Sequence, residues 1–286
     1  MNVSAAQARL DAYQQRRPWL AFPVAVLVKF GEDSSANLAV VITYYAFFSV
    51  FPLLLALASV LGFVLSGHPG WQTKIEDSAL KNLPLVKGSP LPHHGSVIAV
   101  VIGLVLATYS GLGVAKAAGQ AADTVYGVGR REQPNLLRKN LHALRTVLVG
   151  GLGLILTTAV AGTVTSGHAL GIPVGWGLTI AGIAVTVALN TALFAVVFRW
   201  LTVRDLTVRD VLAGAAFAAT VLALLQAGSA ALISHKLRHV SATYGSFGSV
   251  IVLLSWIYLQ AQVVLLAEQV NVVRQEHRWP RSIVTR

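Results

Sequence analysis

The chain has 286 residues, of which 55% are hydrophobic and 12% charged, with a formal net charge of +11 and no cysteine. Ordinary soluble domains are about 25% charged, so this composition excludes a typical soluble protein and indicates several membrane spans. The lack of cysteine excludes disulfides and thiolate chemistry. We expect the positive charge to reflect orientation in a membrane rather than nucleic-acid binding.

The amino-terminal region, residues 1–33, is predicted to be cytoplasmic. The apolar run at 19–28 is shorter than the roughly 20 residues that a membrane span needs. Its aromatic residues Trp19 and Phe22 are typical of a helix that lies in the headgroup plane. Residues 5–8 form no convincing cleavage site, so we expect no removed signal peptide.

The first predicted span covers residues 36–65 and carries Pro52 near its middle. A proline inside a helix leaves one carbonyl unpaired, so a neighbouring helix, a hydroxyl or a water must supply that bond. Tyr45, Ser49 and Pro52 are spaced i, i+4, i+7 and share one helix face. We predict that this polar face, next to Tyr44, is turned toward protein. A tolerated kink beside an interfacial tyrosine pair is the alternative.

Five further apolar stretches complete a predicted all-α, polytopic membrane protein with six transmembrane helices. The 53 residues from 146 to 198 contain no Asp, Glu, Lys or Arg, which is too long for one span. A central segment rich in glycine and proline divides them, and a basic loop at 235–243 is expected before the last span. The predicted spans are 36–65, 96–115, 145–165, 176–198, 211–234 and 245–270.

Small residues recur at every fourth position on the second and fifth predicted spans. One stripe runs from Ala99 to Ala115 and the other from Ala215 to Ala231. Small residues at this spacing let another helix approach closely. The stripes therefore predict tight packing within the chain, and they leave a homo-oligomer open.

Lysine and arginine set the predicted orientation of the bundle. Six spans place both termini on one side, and 17 of the 22 Lys and Arg residues fall in segments on that side. Because positive residues accumulate in cytoplasmic segments, we expect both termini in the cytoplasm. The predicted organisation is an interfacial region at 1–33, a transmembrane domain at 34–273 and a basic tail at 274–286.

Polar side chains in the inner halves of the spans predict a cavity that opens to the cytoplasm. Polar groups within hydrocarbon normally face protein or a water-filled space. We assign this cavity to the first, second, fourth and sixth spans; the alternative is a solid bundle with interhelical hydrogen bonds. The candidate residues along the path are Tyr44, Tyr45, Ser49, Tyr109, Asn190 and Gln260.

Two charged features have competing interpretations. Lys116 and Asp123 are seven residues apart on a continuing helix, and we interpret them as a solvated, ion-paired face rather than a site. Glu268, near the inner interface, either marks a functional site where it would couple protons, or reaches the arginines of the tail. The sequence contains no signature of a metal, nucleotide or hydrolase site, so we expect no cofactor and no catalytic residue.

Four stretches, in the same order, resemble the YihY/BrkB family of bacterial inner-membrane proteins. The first is Thr-Tyr-Tyr-Ala followed by Ser-Val-Phe-Pro at 43–52, and the second is Ala-Asp-Thr-Val-Tyr at 122–126. The third lies at 209–215 and the fourth at 244–271. The family commonly has asparagine at the position of Asp123, which leaves the role of this residue open.

The resemblance implies a six-helix inner-membrane bundle that is linked to envelope integrity. The family's branch that includes YhjD is thought to move lipids or lipid-linked molecules. Some members carry a ribonuclease label, which this sequence does not support because it shows no metal-carboxylate cluster.

We therefore expect a protein of the bacterial inner membrane that moves or accommodates an anionic lipid or a lipid-linked precursor. The alternative is a non-transporting structural or scaffold protein for envelope assembly. An enzyme and a nucleic-acid partner are not expected. The residues expected to bind the headgroup on the cytoplasmic side are Lys116, Arg130 and Arg131. The residues expected to provide local flexibility are Pro52, Gly245 and Gly248.

Overall fold

The computed structural model describes residues 11, 13, 16–65, 97–129, 135–169, 176–244, 247–277 and 279–281. These residues form seven helices, of which the shortest has 15 residues, and no strand is found among them. The helices are α1 (Pro18–Glu32), α2 (Ser35–Leu65), α3 (Val97–Val125), α4 (Leu136–Ala169), α5 (Trp176–Leu201), α6 (Val208–Tyr244) and α7 (Phe247–Gln275). Each of α2 to α7 is long and apolar enough to cross a membrane, which confirms the predicted all-α architecture with six spans.

The helices extend beyond the apolar stretches from which they were predicted. α3, α4 and α6 all continue into charged sequence. Residues 235–243, predicted to be a loop, are helical and belong to the end of α6. That prediction was wrong because charge alone does not end a helix. No glycine or proline lies between Gly228 and Gly245 to stop it.

Small residues bring the membrane-spanning helices into close contact. α2 packs extensively on α3, where a Cβ atom built on Gly103 would lie 2.9 Å from the Cα atom of Ala56. On α6, Ala215 and Ala219 of the predicted stripe are buried, but Ala227 is exposed. The stripes therefore serve helix packing over part of their length, as the sequence predicted.

The outward faces of the bundle are apolar. Leu152 and Ile155 on α4 are 66% and 68% exposed, and long aliphatic side chains on the other spans are also exposed. Such faces suit hydrocarbon, which needs no hydrogen-bonding partner, whereas the backbone polar groups are paired within each helix.

Six helix ends meet at one end of the bundle, which we call the charged end. Direct side-chain contacts between α2 and α7, and between α3 and the segment after α5, bring these helix ends together. The short helix α1 lies against α7 there, through Ala25, Val26 and Val273. Its placement in the headgroup plane stays a prediction. The charged end comprises the starts of α2, α4 and α6 and the ends of α3, α5 and α7.

Gly214 provides a test of the packing between α6 and α7. A Cβ atom at this position would lie 2.1 Å from the carbonyl oxygen of Ala267 and 2.6 Å from the side-chain amide of Asn271. We expect Gly214→Ala to push the two helices apart and lower the free energy of unfolding by about 1–3 kcal/mol. Unfolding by SDS in detergent micelles measures this loss.

The control for this test is Gly177→Ala, because a Cβ atom built on Gly177 meets no atom of the described residues within 4 Å. We expect its SDS midpoint to stay close to that of the natural chain. Equal midpoints for Gly214→Ala and Gly177→Ala would contradict the close approach of α6 to α7.

Candidate functional site

A band of buried polar side chains crosses the charged end of the bundle. In a protein interior such groups are normally hydrogen-bonded, so a member of the band that lacks a partner is informative. α7 contributes three of them within two turns, and α1, α2, α3 and the segment after α5 contribute the rest. The members of this polar band are Lys29, Asp33, Ser35, Asp123, Tyr126, Thr202, Glu268, Gln269 and Asn271.

Lys29 joins α1 to the ends of the spans. It is 3% exposed, pairs with the carboxylate of Asp33 and donates a hydrogen bond to the backbone carbonyl of Val125 at 2.9 Å. From α7, the Nε2 atom of Gln269 donates to Asp33 at 2.8 Å and to the hydroxyl of Ser35 at 3.0 Å. This part of the polar band is a paired network that links α1, α2, α3 and α7.

Asp123 holds the segment that follows α5. Its Oδ1 atom accepts hydrogen bonds from the hydroxyl of Thr202 and from the backbone N–H of Val203, both at 3.0 Å. Asp123 is 5% exposed, so our interpretation of a solvated face shared with Lys116 was wrong for this residue. The spacing along α3 gave the correct face of the helix. It could not show that the chain after α5 covers that face.

Glu268 lies in the polar band without a hydrogen bond. It is 1% exposed, and neither carboxyl oxygen has a partner in the part of the chain that the structure describes. Asp123 and Tyr126 are close enough for electrostatic interaction with it. The interpretation in which Glu268 reaches the arginines of the tail is wrong, since its side chain is enclosed between helices.

Tyr126 and Asn271 carry further hydrogen-bonding atoms that are not used. The Oδ1 atom of Asn271 accepts the backbone N–H of Gly214 at 2.6 Å, but its Nδ2 atom and the Tyr126 hydroxyl have no partner. Burial raises the pKa of Tyr126 well above its usual value, and the negative charge of Glu268 acts in the same direction. Asn271 opposes this rise from a position that falls short of hydrogen-bonding geometry. The Tyr126 phenol therefore stays protonated and can donate.

A small pocket on α3, α4 and α5, which we call the basic pocket, is bordered by Asp123. Lys116 of α3 and Lys139 and His142 of α4 line it. Two lysines face one carboxylate, so the pocket has an excess of positive charge even with a neutral histidine. Lysine ammonium groups bind phosphate and carboxylate through charge-assisted hydrogen bonds, so this pocket suits an anion.

An apolar cavity of about 470 Å³ adjoins the basic pocket. The two share Ala115, Thr146 and Leu201 as lining residues. Side chains of α2, α3, α4, α5 and α7 form its walls, and Gln260 is one of its few polar groups. Hydrocarbon fits such walls, so the basic pocket and the apolar cavity together match an amphiphile with an anionic head.

A third cavity, of about 360 Å³, lies between α2 and α3 and is called the tyrosine pocket. Tyr45, Ser49 and Tyr109 line it, so the structure brings together three of the residues predicted along the path. Lys116 lines both the tyrosine pocket and the basic pocket. One lysine therefore borders two polar spaces.

Other predicted site residues lie apart from these cavities. Tyr44 is 57% exposed and packs its ring against that of Tyr45, with 5.6 Å between centroids. Asn190 is half-buried on α5 and borders none of the three cavities, and Pro52 lies within the continuous helix α2. Gly248 is buried in the first turn of α7. Arg130, Arg131 and Gly245 lie outside the described residues.

Sequence reasoning missed several members of the polar band and of the basic pocket. Lys29 is the one charged residue in an apolar stretch, and Asn271 lies three residues after the predicted candidate Glu268 on α7, so both patterns could have been used. Lys139 and His142 gave no such signal. In the sequence they belong to an ordinary charged connection between two spans.

A family model described as Virulence factor BrkB matches residues 26–283 of the chain. This segment includes all six membrane-spanning helices, the polar band and the three cavities. No curated protein and no solved structure matches the chain.

Lys29 provides a test of the paired part of the polar band. We expect Lys29→Met to lower the free energy of unfolding by about 2–3 kcal/mol, because it leaves Asp33 without its buried cation. The Val125 carbonyl also loses its donor. SDS unfolding of the purified protein measures the change. The control is Arg138→Gln on the exposed face of α4, which should leave the midpoint unchanged. A Lys29→Met protein as stable as this control would contradict a structural role for the network.

Proposed function

Because the chain belongs to the BrkB family, we propose that it is a multi-pass protein of the bacterial inner membrane that binds an anionic lipid or lipid-linked molecule and moves its headgroup. One observation carries this proposal. The apolar cavity adjoins the basic pocket and shares three lining residues with it. In this proposal the charged end faces the cytoplasm, and no catalytic step, cofactor or nucleic acid is involved.

In this proposal the basic pocket recognises the anionic headgroup of the lipid. Lys116 and Lys139 approach from different helices, so an anion between them contacts two cations while Asp123 keeps its own hydrogen bonds. Lys116 and Lys139 are half-buried, and attraction between charges is stronger in such a partly buried pocket than in open water, because the local dielectric constant is lower. A neutral head would leave the two lysines unpaired and would bind less well.

The apolar cavity would hold part of the hydrocarbon chain. Gly150 and Gly151 of α4 line it, and a Cβ atom built on either meets no atom within 4 Å. These two glycines therefore keep space open rather than allow close helix contact. A lipid tail in this space would exchange bilayer contacts for contacts with the cavity walls at little cost in free energy.

Lys116 suggests how a headgroup would move. It borders the basic pocket on one side and the tyrosine pocket on the other. The hydroxyls of Tyr45, Ser49 and Tyr109 would take over hydrogen bonds to the head as it leaves the basic pocket. Gln260 would contact the molecule in the apolar cavity. Tyr44 and Asn190 have no part in this path.

A structural protein for envelope assembly is the second candidate, and one observation favours it. Part of the small-residue stripe on α6 is buried against neighbouring helices, but Ala227 further along is exposed. An exposed small-residue position lets a helix of a second copy approach closely. In this case the chain would act through a homo-oligomer, and the cavities would hold bulk lipid.

The headgroup assignment is tested by the lipid that stays bound during purification. The protein is equilibrated with equal amounts of phosphatidylglycerol and phosphatidylcholine in mild detergent, and retained lipid is quantified by mass spectrometry. We expect Lys116→Gln/Lys139→Gln to lower the selectivity for phosphatidylglycerol by about tenfold or more, because each lost charge-assisted contact is worth about 1.5–3 kcal/mol. Arg138→Gln, which removes an exposed neighbouring charge, is the control.

The proposal that the apolar cavity holds the hydrocarbon chain of the lipid is tested with Gly150→Leu. This variant fills the cavity without removing a charge. We expect it to lower retention of both lipids, whereas Gly177→Leu, on an open part of α5, should not. Transfer of fluorescent phosphatidylglycerol between leaflets of proteoliposomes then tests movement. Equal recovery of both lipids from all variants would refute the lipid site and favour the structural candidate.

A further inference from the structure

Glu268 and its neighbours form a second group that the proposed lipid site does not use. Both oxygens of Glu268, the hydroxyl of Tyr126 and the Nδ2 atom of Asn271 are buried without a hydrogen bond in the described part of the chain. Unsatisfied polar atoms on three neighbouring side chains are unusual, because buried polar groups are normally satisfied. The buried carboxyl group of Glu268, which has no partner on either oxygen, therefore indicates a ligand that neutralises its charge.

The charged groups around Glu268 disfavour a negative charge on its carboxyl group. Asp123 of α3 adds negative charge, and Tyr126, the residue after α3, adds a protonated phenol. The nearby cations have partners of their own, since Lys29 pairs with Asp33 and Arg204 with Glu276. Asp210 also acts on Tyr126 with negative charge. An ionised Glu268 would be a buried anion beside another anion, and none of the cations that the structure describes is paired to it.

Two ligands could remove this conflict, a metal ion or a proton. A metal ion needs several carboxylate or histidine ligands, and no group of three such residues occurs among the described residues. A proton needs only the carboxylate itself. As a neutral acid, Glu268 offers one O–H donor and one carbonyl acceptor. Protonation therefore removes the buried negative charge that would otherwise stand beside Asp123.

We propose that Glu268 is a proton-binding site, and that Asp123 couples its protonation to the binding of an anion in the basic pocket. The binding step is simple: the carboxylate of Glu268 takes one proton from a hydronium ion at the charged end, so that an O–H bond of hydronium breaks as the carboxyl O–H bond forms, and water is left. Release reverses this step and returns the proton to water. The coupling, though not the proton site, rests on the proposed lipid function.

The position of Asp123 gives the coupling its direction. Asp123 interacts with Glu268 and also lines the basic pocket. An anion in that pocket adds negative charge near both carboxyl groups, and this favours a proton on Glu268. By thermodynamic linkage, a proton on Glu268 must strengthen anion binding by the same factor. Lipid and proton would therefore bind together and leave together.

Infrared spectroscopy tests the proton site without any transport assay. We expect a carbonyl band of a protonated carboxylic acid in the purified natural chain at neutral pH, with an isotope shift in heavy water. Glu268→Gln should lose this band, and Glu268→Asp should keep it at an altered frequency. The control is Glu32→Gln, because the Glu32 side chain is 52% exposed and pairs with Arg281. If the spectra of the natural chain and Glu268→Gln at neutral pH show no such difference, the proton site is refuted.

The coupling is tested with short-chain phosphatidylglycerol as the probe. We expect its affinity to rise by about fivefold or more as pH falls through the Glu268 titration, and Glu268→Gln to abolish this rise. His142 also lines the basic pocket, so the comparison is repeated in a His142→Gln background. An unchanged pH dependence in Glu268→Gln/His142→Gln relative to His142→Gln alone overturns the coupling. Absence of probe binding to the natural chain refutes the lipid function and the coupling, while the infrared result still decides the proton site.

Discussion

The structure depends on one property of hydrocarbon, which offers no hydrogen-bonding partner. This property requires that each spanning segment be a helix, and it keeps most polar side chains away from the outward faces. They collect instead at the charged end, where α1 and the ends of the spans can pair them. Lys29, Asp33, Ser35 and Gln269 are paired in this way. Glu268 is the member of the polar band where pairing fails most completely.

Asp123 connects the two sites. One of its oxygens holds Thr202 and Val203, so its position is fixed by the segment between α5 and α6. From this position Asp123 interacts electrostatically with the buried Glu268, and it also lines the basic pocket. Three of the stretches that carry the family resemblance meet in this region, through Asp123, Gly214 and Glu268. They are distant in sequence, and the fold gives them a common location.

Much of the fold could be predicted from the sequence, because six spans follow from apolar runs longer than a bilayer requires. The end of α6 could not, since charged residues are compatible with both a helix and a loop. The site was harder to predict. Tyr45, Ser49 and Tyr109 do line one pocket, but Gln260 lies in another and Asn190 in neither. Helical spacing identifies a face, whereas the neighbour that covers this face depends on packing between segments far apart in the chain.

The contact of Gln269 with Asp33 and Ser35 also bears on how the protein is made. Gln269 lies more than 230 residues after its partners, on the last helix of the bundle. A chain synthesised from its amino terminus therefore inserts α2 and most later spans before this partner exists. Until α7 enters the membrane, the junction between α1 and α2 must rely on water or lipid headgroups for these hydrogen bonds. Completion of the last helix is thus the step at which the first helices reach their final pairing.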